Sequence, residues 1–280
     1  MVVFPFAKIN LGLNVIRLRE DGFRDIETVL LPIPLEEVLE VLPDPALPNG
    51  TVDIVRTGRS VPGDPTTDLC VRAYQLIHAR YTLPGVRVHL HKTIPIGAGL
   101  GGGSSDGAHM LQVLDRLFEL GLVHREMHEL ATILGSDCAF FLQRIPRSAH
   151  GRGEQLLPVE VNLARLWMVL VDPGIHVSTA ETYAATPMSG CSIDLPSILR
   201  QPPQSWKGTL VNTMEDPVFG KHPELRDIKE ALYRDGAVYA SMSGSGSSVF
   251  GLFHERPRSE RAYGNGHQWI FQPQPEHQAR

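Results

Sequence analysis

At 280 residues, with a net charge of -5 and a pI near 6.2, the chain lacks the basic excess of a general nucleic-acid binder. Its hydrophobic share of 42% and charged share of 20% are those of a globular protein with room for one large domain or two of ordinary size, and no apolar run reaches the length of a membrane span. Three cysteines, Cys70, Cys138 and Cys191, are odd in number and unrelated in spacing, which predicts reduced thiols and a cytoplasmic protein. The opening MVVFPFAKINLGLNV has no basic n-region or small-residue cleavage site and reads as mature structure.

Residues 6–15 alternate cleanly, with Ala7, Ile9, Leu11, Leu13 and Val15 on one face and Lys8, Asn10, Gly12 and Asn14 on the other, which predicts a half-buried strand. Asn and Gly are poor choices for an ordinary strand surface, so this polar face reads as one that approaches a ligand. Asp21-Gly22 marks a hairpin turn, and residues 23–33 return as a second strand. Phe23 and Arg24, at its tip, either stack on a planar ligand or cover the hairpin end. Short strands are predicted at 36–42 and 52–56. Thr66 or Thr67 is then placed to cap a helix with Leu69, Ala73, Leu76 and Ile77 inward.

A strand predicted at 86–94 leads into PIGAGLGGGSSD, residues 95–106. Gly97, Gly99, Gly101, Gly102 and Gly103 leave the backbone without Cβ atoms, so that amides turn inward and touch a ligand closely. Ser104 or Ser105 reads as the N-cap of the next helix, with Asp106 in its first turn and Met110, Leu111, Leu114, Leu117 and Phe118 at helical spacing. Unpaired N–H groups and the positive end of the helix dipole favour a bound anion, so the stretch reads as a phosphate cradle. The Walker pattern is absent. Gly97, Gly99 and Gly102 satisfy G-x-G-x-x-G, but the acidic residue that a dinucleotide fold wants about 20 positions on lands around Glu119, inside the helix, which disfavours hydride transfer.

Helical spacing resumes at Met127, Leu130, Ala131, Ile133 and Leu134 and stops at Gly135. Asp137 then heads a short apolar segment, CAFFL, where a carboxylate serves either as an N-cap or as a general base in a partly dry setting; both readings stay open. Residues 145–153, IPRSAHGRG, read as a domain junction. Beyond it a strand at 166–171, a helix at 180–185, a polar Pro- and Ser-rich stretch and a helix at 223–234 are predicted. Two strands, AVYASM and VFGLF, flank Ser243-Gly244-Ser245-Gly246-Ser247-Ser248, a hairpin turn or a second anion nest. Trp269-Ile270-Phe271 is expected to close the sheet, and 273–280 to fray. His89 with His91, and His124 with His128, are paired in sequence, but neither pair has a third ligand at readable spacing, which argues against zinc.

Three separated features, AKINLGLNV at 7–15, PIGAGLGGGSSDGA at 95–108 and SMSGSGSSVF at 241–250, resemble in order and spacing the three motifs of the GHMP kinase superfamily, which includes galactokinase, homoserine kinase and mevalonate kinase. The DG-aromatic hairpin followed by DIET, together with LGSDCAFF, resembles most closely the branch acting on a cytidine-diphosphate-linked methylerythritol in the non-mevalonate isoprenoid pathway. The resemblance implies an α+β fold of two domains, 1–148 like domain 2 of ribosomal protein S5 and 149–272 ferredoxin-like, with a disordered tail at 273–280. It implies transfer of the ATP γ-phosphate to the tertiary 2-hydroxyl of that small molecule, with Mg²⁺ bridging phosphate oxygens, no nucleic-acid or membrane partner, and a monomer or homodimer.

Carried over by position, Asp137 takes the hydroxyl proton while Lys8 keeps it ionised and stabilises charge on the moving phosphoryl group. Asn10 positions the alcohol. Pro95, Ile96, Gly97, Ala98, Gly99, Leu100, Gly101, Gly102, Gly103, Ser104 and Ser105 wrap the triphosphate, Ser243, Gly244, Ser245 and Gly246 support the site, and Lys92 and Asp68 border the adenine. The chain departs from this pattern at three positions. Phe23 and Arg24 stand where Tyr and His are usual beside the cytosine; Phe23 keeps the stacking face, but Arg24 donates only and cannot accept from the base amino group. Asp68 stands where Asn is commoner. A related kinase with another alcohol or sugar acceptor, and a non-catalytic sensor on the same fold, are the alternatives.

Overall fold

The structure is a computed structural model describing residues 1–258, 262–264 and 266–273; all but the first residue of the expected frayed tail therefore lies outside the described residues. In chain order the strands are β1 (Val2–Val3), β2 (Phe6–Leu18), β3 (Arg24–Glu36), β4 (Val38–Pro43), β5 (Val52–Gly58), β6 (Val86–Lys92), β7 (Arg147–His150), β8 (Gln155–Pro158), β9 (Trp167–Asp172), β10 (Tyr239–Met242), β11 (Val249–Phe253) and β12 (His267–Phe271). The helices are α1 (Leu69–Tyr81), α2 (Gly102–Leu117), α3 (His124–Leu134), α4 (Thr179–Ala185), α5 (Leu195–Leu199), α6 (Glu215–Lys221) and α7 (Pro223–Arg234). Cys138–Leu142 forms a 3-10 turn.

The chain divides into two compact units. The first comprises Met1–Ala7, Leu35–Ile96 and Gly101–Arg144. Its sheet has the order β1-β4-β6-β5, antiparallel except for the parallel pair β5·β6. Alternation in β6 buries Val86, Val88 and Leu90 and leaves Arg87, His89 and His91 exposed, as its period-two pattern dictates. Cys70, Ala73, Tyr74 and Ile77 of α1 and Met110, Leu111 and Leu114 of α2 supply buried apolar stripes. Phe6, Phe140 and Phe141 form a second apolar cluster, the Phe140 and Phe141 rings standing edge to face at 5.1 Å.

The second unit comprises Lys8–Pro34, Gly97–Leu100 and Ile145–Arg280. One sheet has the order β2-β3-β7-β8 and the other β10-β11-β9-β12, all pairs in the latter antiparallel. Taken as strands one to four of their half, the latter run 2-3-1-4, the arrangement of the expected ferredoxin-like sheet. Its core mixes Leu13, Val15 and Ile26 from the first hairpin with Val169, Val171, Leu225, Leu232, Met242 and Val249. A boundary between residues 148 and 149 cuts through this core and the β7–β8 hairpin.

Several local expectations give way to the structure. The stretch read as a junction, 145–153, does open where the chain passes between the units, at 144/145, but it is not a linker: it forms β7 and the turn into β8, docked on β3 with Thr28 opposite Ala149 and Val29 opposite Ser148. Strand β2 is buried on both faces, Lys8 and Asn10 at 4% exposure and Asn14 at 1%, because Lys8 Nζ, both polar atoms of the Asn10 amide and the Asn14 Nδ2 find partners inside the protein. Helix α1 is capped by Asp68, whose carboxylate accepts from the Cys70 amide at 2.9 Å, and not by Thr66 or Thr67. Helix α2 starts at Gly102 behind Gly101, whose φ of 73° only glycine adopts cheaply; Ser104, Ser105 and Asp106 are therefore inside the helix and do not cap it. The Pro- and Ser-rich stretch before α7 contains α5 and α6, both too short for periodicity to reveal.

Candidate active site

In the second unit a set of polar groups gathers where β2, the first part of the glycine loop and the β10–β11 turn meet. Lys8 Nζ donates to Asn10 Oδ1 at 2.6 Å and to the Gly99 carbonyl at 3.1 Å. Asn10 is held in turn: its Nδ2 donates to Thr28 Oγ1 at 2.9 Å, and the Thr28 hydroxyl donates to the Gly12 carbonyl at 2.6 Å. Ser243 Oγ accepts from the Asn10 amide at 3.3 Å and donates to the Gly99 carbonyl at 2.9 Å. The three motifs read from the sequence therefore touch one another through Lys8, Asn10, Gly99 and Ser243.

Gly99 explains why this loop tolerates no side chain: its φ is 77°, and a Cβ there would fall 2.0 Å from the Ser243 carbonyl oxygen. The Ser248 amide donates to the Ala98 carbonyl at 3.1 Å, fixing the loop from its other side. The β10–β11 turn is itself anchored by Asn212, whose Nδ2 donates to the Met242 and Gly244 carbonyls at 2.9 and 2.8 Å. Along the loop Pro95, Ala98 and Leu100 are buried, whereas Ile96 and Gly97 are exposed, so a ligand meets mostly backbone. Ser245 shares a hydrogen bond with Thr179 at 3.0 Å, and Gly244 and Gly246 both have positive φ.

In the first unit the end of the loop becomes helix α2. Gly101 makes no side-chain cap, so the first amides of the helix are available to an anion. Gly102 is buried and Gly103 exposed; Ser104 is half-buried, but Ser105 is fully buried, its carbonyl accepting from His109 Nδ1 at 2.8 Å. Burial lowers the His109 pKa, keeping that ring neutral. Lys92 points inward at 4% exposure, donating to Glu37 Oε2 and Asp106 Oδ2, each at 2.5 Å. Its charge is thus committed to two buried carboxylates and is not presented to an adenine. Asp68 faces Arg56 at 3.5 Å as well as capping α1.

Asp137 precedes the 3-10 turn with helical backbone angles and makes no capping hydrogen bond to it. Cys138, the next residue, is buried, and burial pushes its thiol up to about 12.

At the β2–β3 hairpin of the second unit Phe23 is 50% exposed, with the Arg152 guanidinium 4.7 Å from its ring centroid. Arg19 pairs with Asp21 and Asp25 and holds both carboxyls below their usual range, which stiffens the turn that carries Phe23 and Arg24. Sequence reasoning missed Thr28, Asn212, Glu37 and Arg152. Thr28 alone carries a readable signal, as a hydroxyl in DIET one strand from the polar face of β2; the others lie far in sequence from what they hold.

The sequence profile described as "GHMP kinases N terminal domain" matches residues 68–144, and that described as "GHMP kinases C terminal" matches 198–266. A 4-diphosphocytidyl-2-C-methyl-D-erythritol kinase of Cytophaga hutchinsonii is 44% identical over 260 residues, covering 92% of this chain and 94% of the relative. One of the same name from Bacteroides fragilis is 44% identical over 255 residues, covering 90% and 92%. The crystal structure of a 4-(cytidine 5'-diphospho)-2C-methyl-D-erythritol kinase superposes with a TM-score of 0.76 at 31% identity, covering 96% of this chain and 98% of that one. The mevalonate kinase of Methanococcus jannaschii, at 12% identity and a TM-score of 0.63, shares the fold. With the glycine loop, the β2 motif and the β10–β11 turn joined as described, the chain belongs to the GHMP kinases, in the branch whose members are the 4-diphosphocytidyl-2-C-methyl-D-erythritol kinases.

Proposed function

We propose that the protein transfers the γ-phosphoryl group of ATP to the 2-hydroxyl of 4-diphosphocytidyl-2-C-methyl-D-erythritol, in the cytoplasm, as a step of the non-mevalonate isoprenoid pathway. The observation that carries this reading is the junction of Lys8, Asn10, Gly99 and Ser243, which ties the Lys8 ammonium to the glycine-rich loop. Phosphoryl transfer needs little covalent work from a protein; positioning and charge stabilisation supply most of the catalysis.

In this mechanism the alcohol proton passes to the Asp137 carboxylate as the hydroxyl oxygen attacks the γ-phosphorus, and the bond from that phosphorus to the β,γ-bridging oxygen breaks to release ADP. Lys8, held by the Asn10 amide oxygen and the Gly99 carbonyl, is already oriented when negative charge spreads over the equatorial oxygens. The Gly97–Gly103 backbone and the start of α2 receive the triphosphate, and the close approach that Gly99 permits fits phosphate groups. The Gly97–Gly103 backbone would receive Mg²⁺ together with the triphosphate, and the ion would supply charge neutralisation there. Phe23 offers one stacking face to the cytosine.

Transfer of labelled phosphate from ATP to the cytidine-diphosphate alcohol tests the reading. Asp137→Asn is expected to lower kcat by about 10² to 10⁴-fold with ATP binding retained. A folded wild type that binds ATP yet transfers nothing to this acceptor would remove the substrate from the proposal. A second reading, a different alcohol or sugar acceptor, rests on Arg24, which cannot accept a hydrogen bond from a cytosine amino group. Failure of cytidine nucleotides to compete with the acceptor would favour it.

A further inference from the structure

On the exposed face of the first unit's sheet, two histidines of β6 converge on one oxygen of its parallel neighbour. Thr57 Oγ1 lies 2.9 Å from His89 Nε2 and 2.9 Å from His91 Nδ1. Residues i and i+2 of a strand share a face, so the sequence alone shows the two imidazoles side by side. The third donor arrives through topology: β5 pairs parallel to β6 with Thr57 opposite His91, although the two lie 34 residues apart. A hydroxyl carries one proton and can donate it to only one of the two rings, so the second ring must turn its own N–H inward to be satisfied. A cation held between the two rings and the Thr57 oxygen satisfies both nitrogens as lone-pair donors at once.

The surroundings favour positive charge. Glu40 of β4 stands directly opposite His89 in the antiparallel register and therefore on the same face. Arg87, two residues before His89, is occupied by Asp44 at 2.7 Å and Asp53 at 3.5 Å. We propose that His89, His91 and Thr57 form an open binding site for a borderline divalent transition metal of the Zn²⁺, Ni²⁺ or Cu²⁺ class, completed by water. Two imidazoles and a hydroxyl suit these ions, whereas Mg²⁺ takes oxygen ligands, so the site is chemically separate from the ATP-borne metal. A bound ion ties β5, the sheet's edge strand, to its neighbour.

Isothermal titration of the full chain with ZnCl2, without nucleotide and in a non-chelating buffer, tests the site. Wild type is expected to show a binding step that weakens about tenfold or more in His89→Ala and in His91→Ala, and that survives excess MgCl2. His124→Ala/His128→Ala, which removes the histidine pair of α3, is expected to keep it. Zn²⁺ is likewise expected to raise the thermal midpoint of wild type and of the α3 variant but not of either β6 variant. All four positions lie on the surface of their elements, and unchanged circular dichroism confirms that the variants fold. No Zn²⁺ binding by wild type, equal binding by the β6 variants, or loss in the α3 variant would overturn the proposal.

Discussion

Buried charge must balance, and around Lys92 two carboxylates face one ammonium with none of the three more than 4% exposed. Desolvation and the hydrogen bond with Glu37 raise the Asp106 pKa well above its ordinary 3.8. The excess charge is removed if Asp106 carries a proton, since a carboxylic acid is neutral and can donate to the Glu37 carboxylate beside it. The native state then binds a proton that the unfolded chain has released, so this group's contribution to stability falls as pH rises above 3.8. Asp106→Asn is expected to gain on wild type across that range, by at most about 1.4 kcal/mol per pH unit. Chemical denaturation at a series of pH values measures it, and parallel curves for the two proteins would count against a bound proton. Gly99→Ala makes a harsher test: positive φ and the approach to Ser243 predict a loss of at least about 2 kcal/mol, read from the denaturant midpoint. The family resemblance put Lys92 at the adenine border, and the sequence put Asp106 in the first turn of the helix after the glycine loop. Their shared partner Glu37, 55 residues from Lys92, was visible in neither.

Among the elements, β2 shows what alternation conveys and what it conceals. The period-two pattern identified both faces of the strand and marked the Lys8, Asn10, Asn14 side as unusual. It could not show that this side is buried, since burial depends on Thr28, Glu27 and Ser243 arriving from other strands. Helix α2 misled in the opposite sense: serines at 104 and 105 have cap chemistry, but the left-handed Gly101 let the helix begin before them. The β10–β11 turn was legible as Gly and Ser, whereas its anchor lay in a stretch that carried no pattern. Asn212→Ala removes the two bonds to the Met242 and Gly244 carbonyls and leaves both oxygens buried without that donor. A loss of about 2–4 kcal/mol is expected in denaturant melts, with a raised KM for ATP as the β10–β11 turn loosens against Gly99. An unchanged KM would separate the anchor from the nucleotide site.

For the molecule as a whole, the chain passes between its two compact units five times, at 7/8, 34/35, 96/97, 100/101 and 144/145. A fragment of residues 1–148 keeps Leu13, Val15 and Ile26 but loses the strands and helix that cover them, so it is expected to be insoluble or unfolded by circular dichroism. The same threading predicts that both units melt together. The fold class was legible because three motifs fell in the right order, while the interleaving was not, since sequence order alone does not say which core a hairpin joins. The chain has three tryptophans, Trp167, Trp206 and Trp269, and all of them belong to the second unit. Trp206 is 1% exposed, its indole donating to the Gln201 carbonyl at 2.9 Å and its ring edge-on to Tyr239. Indole light from this protein therefore comes from one unit alone, dominated at the blue end by a sheltered ring, while the other unit, which holds Tyr74 and Tyr81 but no tryptophan, is dark under red-edge excitation that tyrosine does not absorb. Intrinsic emission thus reads the second unit with no added label, and the backbone signal of circular dichroism reads both; a single shared transition in the two spectra is the optical signature of a chain whose halves cannot come apart separately.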